Sequence, residues 1–180
     1  TPTYAEVKKL PGLIKLTINP NATTDTLFAD DGPMDTAATL GKVEVEIEKN
    51  ALSTDEKAYL LGHQIDTNGA IVYGAGDVRP WVAIGFRTLK SDGTYRYVWL
   101  YKGKFVDPEE QNETKGDSIN FQTDPIKGNF VMLNKEYTVG GKVTKPYKYE
   151  IDEEHEAALP TVIAKWFDKP ILPNETVSAV

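Results

Sequence analysis

The sequence predicts a mainly β protein with one flanking helix, and three observations indicate this fold class. Several segments alternate apolar and polar residues with a period of two, as half-buried strands do. Turn signals rich in Gly, Asn, Asp and Pro separate these segments. One segment, which begins after Ser53, instead carries a helix start followed by a helix stop. The 180 residues and a hydrophobic content of 40% suffice for one core, so we expect a single domain over residues 1–180.

The first two predicted strands cover residues 13–18 and 42–48. In the first strand Ile14, Leu16 and Ile18 share an apolar face, which predicts that this face is buried. In the second strand three apolar residues point to one face and three glutamates to the other: Val43, Val45 and Ile47 opposite Glu44, Glu46 and Glu48.

Two long loops are predicted, over residues 19–41 and 107–127. The first has no sustained period and is rich in Asn, Thr, Asp and Gly. Loops of this length tend to be either functional or disordered. The first loop contains Leu27 and Phe28, followed by the turn signal Asp30-Asp31-Gly32-Pro33. Two large apolar side chains need a cover, which either the chain's own domain or another molecule provides.

The helix is predicted from its two ends. Ser53 with Glu56 three residues later forms a capping-box pattern, and Gly62 is a helix stop. A turn at Asn68-Gly69 then leads into a short strand over residues 71–73.

A hairpin is predicted from residues 81–89 and 94–105, joined by the turn signal Ser91-Asp92-Gly93. Its second strand carries aromatic residues on one face: Tyr95, Tyr97, Trp99 and Tyr101. Because an aromatic strand face more often belongs to a core, Tyr97 and Trp99 are expected to be buried. Stacking on sugars or single-stranded nucleic acid is the alternative use of such a face.

The opposite face of this strand carries Arg96 and Lys102, which we expect to be exposed or paired. Two further strands are predicted over residues 130–138 and 142–151, with Gly140-Gly141 as their turn. Pro146 indicates an edge position for the second of these, because proline cannot donate to a strand ladder. A short helix is expected near the end of the chain, over residues 161–167.

Composition and charge exclude several classes of function. The formal net charge of −7 disfavours a nucleic-acid-binding surface, since phosphate binding needs clustered Lys and Arg. The absence of cysteine excludes disulfides and thiolate chemistry. No apolar run approaches the ~20 residues that span a bilayer, and the N-terminus shows no signal-peptide pattern. We therefore expect no membrane association.

Catalytic and metal-binding motifs give no support to an enzyme. The two histidines, His63 and His155, are not brought together by any pattern, and we expect His63 to flank the helix end. The adjacent carboxylate pairs Asp30-Asp31 and Glu109-Glu110 are weak evidence of a shared site. Phosphate-loop, nucleophile-elbow and calcium-loop spacings are missing from the sequence. The expectation is a protein without catalytic residues, metal or cofactor.

A set of segments, taken together, resembles one known family. The segments are Leu27-Phe28-Ala29-Asp30-Asp31-Gly32-Pro33, Leu61-Gly62-His63, Tyr95-Arg96-Tyr97-Val98-Trp99-Leu100-Tyr101-Lys102-Gly103-Lys104-Phe105, Pro108-Glu109-Glu110, Thr114-Lys115-Gly116-Asp117 and Phe121-Gln122-Thr123. Over about residues 13–167 the chain is similar to the major tail protein, or tail tube protein, of long-tailed non-contractile bacteriophages.

The resemblance implies a fold and an assembly. The fold would be a β-sandwich or barrel-like tail tube domain with a flanking helix. The assembly would be hexameric rings of this chain, stacked into a hollow tube that contacts other tail proteins. DNA would pass through the tube without specific binding, in a virion assembled in the host cytoplasm. The chain begins at Thr1-Pro2, which suggests a trimmed N-terminus and a missing first strand or arm.

Two sets of residues are assigned within this assembly. Contacts between subunits are expected from the two long loops, at Leu27, Phe28, Asp30, Asp31, Glu109, Glu110, Lys115, Asp117 and Phe121. The acidic strand face would line the lumen and repel phosphate, at Glu44, Glu46 and Glu48. The alternative for this face is the solvated side of an ordinary strand. The rival function from another class is a soluble β-sandwich module that binds carbohydrate or protein through its aromatic strand face.

Overall fold

A computed structural model describes residues 2–29, 32–108 and 124–177, with the backbone alone for residues 22–40 and 124 within these ranges. The described residues form ten strands and two helices. The strands are β1 (Leu13–Ala29), β2 (Gly32–Lys49), β3 (Gln64–Ile65), β4 (Ile71–Val72), β5 (Val82–Leu89), β6 (Tyr95–Val106), β7 (Asp124–Phe130), β8 (Tyr137–Val139), β9 (Lys142–Thr144) and β10 (Lys148–Asp152). The helices are α1 (Thr54–Leu61) and α2 (Pro160–Ala164). The predicted mainly β class is confirmed, while the sandwich arrangement stays a prediction.

The chain divides into two compact units. The hairpin unit consists of Pro11–Pro80 and Lys104–Val131, and the aromatic unit consists of Thr1–Leu10, Trp81–Gly103 and Met132–Val180. The expectation of one domain over residues 1–180 stays a prediction.

The hairpin unit contains an antiparallel sheet. β1 pairs with β2 from Leu13 opposite Lys49 to Ala29 opposite Gly32. β2 in turn pairs with β7, from Val43 opposite Phe130 to Lys49 opposite Asp124. The inward face of this sheet supplies buried side chains, among them Val43, Val45, Ile47, Phe105, Ile126 and Phe130. The predicted alternation along β2 is therefore confirmed.

The packing in this unit leaves no room for a side chain at Gly128. A Cβ atom at Gly128 would lie 2.8 Å from Cδ1 of Phe105, whose ring meets that of Phe130 edge-on at 6.0 Å between centroids. The glycine thus lets an aromatic ring lie directly against the backbone of β7.

The predicted loop over residues 19–41 is wrong. Its residues extend β1 and β2 into one long antiparallel hairpin, in which Asn19 pairs with Glu44 and Leu27 with Asp35. A ladder of backbone hydrogen bonds needs no apolar alternation, and the threonines common in this segment suit extended backbone. The second loop was predicted to residue 127, but β7 already begins at Asp124.

One residue of the first predicted strand is exposed, although the sequence predicts it to be buried. Ile14 was expected to be buried with Leu16 and Ile18, which are half-buried, yet it is exposed. The register of β1 shifts between Leu13 and Lys15, so that Ile14 stands at a bulge and has no partner in β2.

The ends of α1 are those that the sequence predicts. The Oγ of Ser53 accepts a hydrogen bond from the backbone N–H of Glu56, and the Glu56 carboxylate accepts one from the N–H of Ser53. Gly62 ends the helix at a φ of 82°, where any Cβ atom would lie 2.3 Å from the carbonyl oxygen of Val78.

The aromatic unit is built around β6, which pairs antiparallel with β5 and with β10. The turn between β5 and β6 has Gly93 at a φ of 88° and closes with a 2.9 Å bond from the Lys90 N–H to the Thr94 carbonyl oxygen. Tyr97 and Trp99 are buried, as predicted, in a cluster that also contains Tyr101, Leu133, Val162, Trp166, Ile171 and Leu172.

On the opposite face of β6, Arg96 and Lys102 are paired, as predicted. Arg96 donates two hydrogen bonds to Asp152 of β10, at 2.5 and 3.0 Å, and the ammonium of Lys102 lies 4.6 Å from the ring centroid of Trp81. Val98 and Leu100 lie between these two residues on the same face of the strand, and both are buried.

The two strands predicted over residues 130–138 and 142–151 are shorter and interrupted. Residues 131–136 separate β7 from β8, and residues 145–147 separate β9 from β10. Pro146 lies in the second gap, where its missing N–H ends the ladder and its carbonyl oxygen instead accepts from Leu133. The turn at Gly140-Gly141 is confirmed, with both residues at positive φ. The last predicted helix is real but covers Pro160–Ala164 only.

Candidate assembly surface

The long hairpin of β1 and β2 has an unsupported outer part. β1 stands at one end of the strand order, with β2 as its neighbour among the described residues. The ladder between β2 and β7 begins at Val43, so residues 20–29 and 32–42 have no third strand of the described chain beside them. From Ala22 opposite Leu40 to Ala29 opposite Gly32 they pair with each other. We call this outer part the ribbon. A two-stranded ribbon is at best marginally stable in water, so this part of the chain is suited to pairing with another molecule.

Two exposed apolar side chains lie at the first residues of β1, at the end of the strand away from the ribbon. Ile14 is 58% exposed and Leu13 45% exposed, on the strand whose backbone is available for pairing. Exposed edges of this kind are templates for a further strand, and natural proteins usually protect them.

The three glutamates of β2 share the face opposite the buried residues. Glu44 is exposed and lies 3.2 Å from the Lys42 ammonium, while Glu48 is half-buried and lies 3.5 Å from that of Lys15. Glu46 is half-buried between them. Such exposed pairs contribute little to stability. The assignment of this face to a lumen stays a prediction.

The predicted contact residues of the loops fall mostly beyond the described structure. The backbones of Leu27 and Phe28 lie in the ribbon, opposite Asp35 and Pro33, but their side chains are outside the description. The other predicted contact residues all lie outside the described residues: Asp30, Asp31, Glu109, Glu110, Lys115, Asp117 and Phe121.

A second feature, which the sequence did not reveal, surrounds His63 in the hairpin unit. The imidazole is 5% exposed and its two nitrogens contact two carboxylates: Nδ1 lies 2.6 Å from Oδ2 of Asp77, and Nε2 lies 2.8 Å from Oδ1 of Asp107. Asp107 also accepts a hydrogen bond of 2.5 Å from Arg79, and Asp77 accepts one of 2.9 Å from the N–H of Gly74. We call these four side chains the His63 cluster.

The contacts of the His63 cluster shift its protonation equilibria. The hydrogen bond to Asp77 and that to Asp107 raise the pKa of His63, against the opposing effect of burial. The N–H of Gly74 and the imidazole together lower the pKa of Asp77. Burial favours a higher pKa for Asp107, but hydrogen bonds from His63 and Arg79 outweigh it and lower that pKa. The arrangement stabilises an imidazolium between two carboxylates.

Both ring nitrogens of His63 are engaged in this arrangement. A general base needs a free lone pair within reach of a substrate proton, whereas both nitrogens of His63 lie against carboxylates. The cluster borders a cavity of about 340 Å³ lined by Leu61, His63, Tyr73, Gly74, Ala75, Asp77, Arg79 and Asp107, a set without a serine, threonine or cysteine nucleophile.

Sequence reasoning placed His63 correctly behind the helix end but missed its partners. Asp77 and Asp107 lie 14 and 44 residues further along the chain, and no local spacing rule links such positions. Among the described residues, no group of His, Cys, Asp and Glu is arranged to hold a metal ion. Within the same part of the chain, neither helix is long and apolar enough to cross a membrane.

Comparison of the chain with models of protein families finds no match, and comparison with curated proteins finds none either.

Proposed function

We propose that this chain is a structural subunit of a bacteriophage tail tube. It self-assembles into hexameric rings that stack into the hollow tail of a long-tailed, non-contractile phage. Its partners are further copies of itself and other tail proteins, and it catalyses no reaction and carries no cofactor. Assembly takes place in the host cytoplasm, and the mature location is the virion.

The ribbon is the observation that supports this proposal. Residues 20–29 and 32–42 are ordered into paired strands without a third strand from the described chain. Backbone N–H and C=O groups on the edges of a ribbon are satisfied either by water or by another strand. A neighbouring copy that packs on the ribbon would supply the missing pairing and bury the residues at its tip. When this contact repeats around a closed ring, each copy packs its ribbon on one neighbour and receives the ribbon of the other neighbour.

The acidic character of the chain agrees with a conduit for DNA. The net charge of −7 disfavours phosphate binding, and Glu44, Glu46 and Glu48 form a stripe on one face of β2. Carboxylates that face a duplex repel it and reduce the friction of its passage. In the assembled ring we expect these three side chains on the inner wall; their location on the outer wall would refute the lumen assignment.

The alternative of a carbohydrate- or protein-binding module has less support. The aromatic face of β6 would be its binding surface, yet Tyr97, Trp99 and Tyr101 are buried in the core of the aromatic unit. Trp81 is exposed, but the Lys102 ammonium covers a face of its ring.

The test is removal of the ribbon tip. Deletion of residues 22–38 joins Asn21 to Thr39 and keeps the strand pairs from Leu13 opposite Lys49 to Pro20 opposite Val43. We expect the wild-type chain to form rings or tubes in electron micrographs and in sedimentation. The deleted chain should stay monomeric with unchanged circular dichroism; tubes that form as well as before would refute the proposal.

A point substitution gives a second test. Ile14→Lys places a charge at the exposed base of β1, the position at which natural edge strands carry lysine to prevent pairing. Val143→Lys is the matched control, because Val143 is an equally exposed aliphatic residue on strand β9. Assembly should be lost in the first variant and retained in the second.

A further inference from the structure

We propose that His63 is a proton-dependent latch that fixes the segment of residues 73–79 to the end of β6. The inference does not rest on the proposed function, since it concerns the order of this segment within a single copy. It starts from the geometry of the two ring nitrogens and from the position of the groups that they contact.

The two carboxylates come from separate parts of the hairpin unit. Asp77 belongs to the segment between β4 and β5, and Asp107 directly follows β6. The imidazole lies between them, within 2.6 Å of one and 2.8 Å of the other. An imidazole donates from both nitrogens only when it carries two protons, because the neutral ring has one donor and one acceptor. With both carboxylates ionised, the two contacts therefore need the imidazolium.

When the imidazolium of His63 loses one proton, one of its two hydrogen bonds to the carboxylates is lost. The nitrogen that becomes an acceptor then faces a carboxylate oxygen, and two lone pairs at hydrogen-bond distance repel each other. Both carboxylates keep another donor: Asp77 has the N–H of Gly74, and Asp107 has Arg79. Each can therefore part from the ring without losing all its partners, which makes release inexpensive.

The groups around the imidazole are few and can be named. The segment of residues 73–79 contributes Asp77, the aromatic ring of Tyr73 at 4.3 Å, and Arg79 through its contact with Asp107. The end of β6 contributes Asp107, and α1 contributes the apolar side chain of Leu61. Of these groups, Asp77 and Asp107 have the largest electrostatic effect on the ring.

The latch holds a segment with two exposed apolar side chains. Tyr73 is 56% exposed and Val78 is 78% exposed, and Val72, directly before the segment, is 52% exposed. The backbone of Val78 lies close to Gly62, Asp77 contacts His63, and Arg79 at the end of the segment donates a hydrogen bond to Asp107. Release of Asp77 would remove its contact with His63 and loosen the residues from Tyr73 to Val78.

The direction of the pH dependence follows from the folded-state shift. The pKa of His63 is raised by Asp77 and Asp107 above its ordinary value of 6.5. The stabilisation is therefore complete below that ordinary value and is lost as the pH rises through the higher folded-state pKa. Alkaline rather than acidic conditions open the latch.

The test uses the full chain and its second histidine as a control. Nuclear magnetic resonance of the ring nitrogens should show a titration midpoint of His63 above that of the urea-unfolded chain. Amide exchange in residues 73–79, corrected for its intrinsic pH dependence, should increase several-fold between about pH 6 and pH 9. His155→Gln should leave this increase unchanged, because His155 lies in an exposed turn of the aromatic unit.

Asp77→Asn keeps the size of the side chain and removes its charge. It should lower the titration midpoint of His63 and abolish most of the pH-dependent increase in exchange. Asp107→Asn should lower the midpoint in the same way, because Asp107 faces the other ring nitrogen. A midpoint of His63 at or below the unfolded value would overturn the proposal, as would equal exchange at both pH values.

Discussion

The indole nitrogen of Trp99 donates a hydrogen bond of 2.9 Å to the backbone carbonyl oxygen of Trp166. Both side chains are buried, and the Trp166 ring stacks on Tyr149 with the two planes 7° apart. The bond joins β6 to the residues after α2, which lie 67 positions further along the chain. This contact closes the aromatic unit between its central strand and its C-terminal segment.

Replacement of Trp99 by Phe should destabilise the aromatic unit. The variant leaves the Trp166 carbonyl without this donor and creates a void beside Gly85, which together cost about 2–4 kcal/mol in the free energy of unfolding. Denaturant unfolding followed by circular dichroism measures the difference. Trp81→Phe is the control, since Trp81 is exposed and its change should cost less than about 1 kcal/mol. Equal costs for the two variants would contradict the assignment.

Gly85 is predicted to be intolerant of any side chain. A Cβ atom there would lie 2.6 Å from Cζ2 of the buried Trp99 ring. Gly85→Ala should therefore cost about 1–3 kcal/mol, because a rigid indole in a packed core cannot yield without strain. The same denaturant measurement on Gly76→Ala provides the control, as nothing lies within 4 Å of a Cβ atom at Gly76. A near-neutral Gly85→Ala would mean that the indole has space to move.

The buried ion pair between Lys49 and Glu56 should respond asymmetrically to substitution. The Lys49 side chain is 7% exposed, and its ammonium contacts the Glu56 carboxylate that also serves the capping box. Glu56→Gln retains an acceptor for the Ser53 N–H but leaves the ammonium buried without a counter-charge, which costs about 3–5 kcal/mol. Lys49→Met removes both charge and desolvation penalty and should lie within about 1 kcal/mol of the wild type.

Thermal unfolding of the two single variants and of the double variant measures this difference. Ser53→Ala separates the capping contribution, which should be about 1 kcal/mol. A Lys49→Met variant as unstable as Glu56→Gln would show that the pair contributes net stability.

The stabilisation that Asp92 provides depends on pH in the direction opposite to that of His63. Its carboxylate accepts hydrogen bonds from the hydroxyl and the N–H of Thr94, and these lower the pKa of Asp92 to about 2. Because the folded-state pKa lies below the ordinary 3.8, the stabilisation is present above that value and is lost as the pH falls through about 2.

Carboxyl resonances of Asp92 followed by nuclear magnetic resonance should show this low midpoint. Asp92→Asn should retain the turn between β5 and β6 and lose the part of the acid sensitivity that Asp92 causes. A midpoint of Asp92 near 3.8 would contradict the hydrogen bonds seen in the turn.

Local signals allowed much of the fold to be predicted. Val43, Val45 and Ile47 alternate with glutamates, and Ser53 with Glu56 caps a helix; both patterns involve neighbours in sequence, and both are correct. The hairpin of β5 and β6 follows from its turn residues for the same reason. Each of these elements is determined within about ten residues.

Long-range contacts explain what could not be predicted. The ribbon of residues 20–29 and 32–42 is held by backbone pairing across the hairpin, which leaves no apolar period in the sequence. The His63 cluster brings together residues from three separate parts of the sequence. Nothing in the sequence around Asp77 or Asp107 indicates that both carboxylates contact the same imidazole. The bulge at Ile14 likewise depends on the register with β2.

The glycines that admit no Cβ atom have a consequence for tracing the ancestry of this chain. Gly62, Gly85 and Gly128 each bring a carbonyl or an aromatic ring closer than any side chain tolerates. Surface residues can be substituted until the overall sequence identity is low. A substitution at one of these glycines instead requires a compensating change in the backbone or ring that lies against it. Distant descendants of the same fold should therefore keep the three glycines and their spacing, which a position-weighted search could detect where ordinary alignment fails.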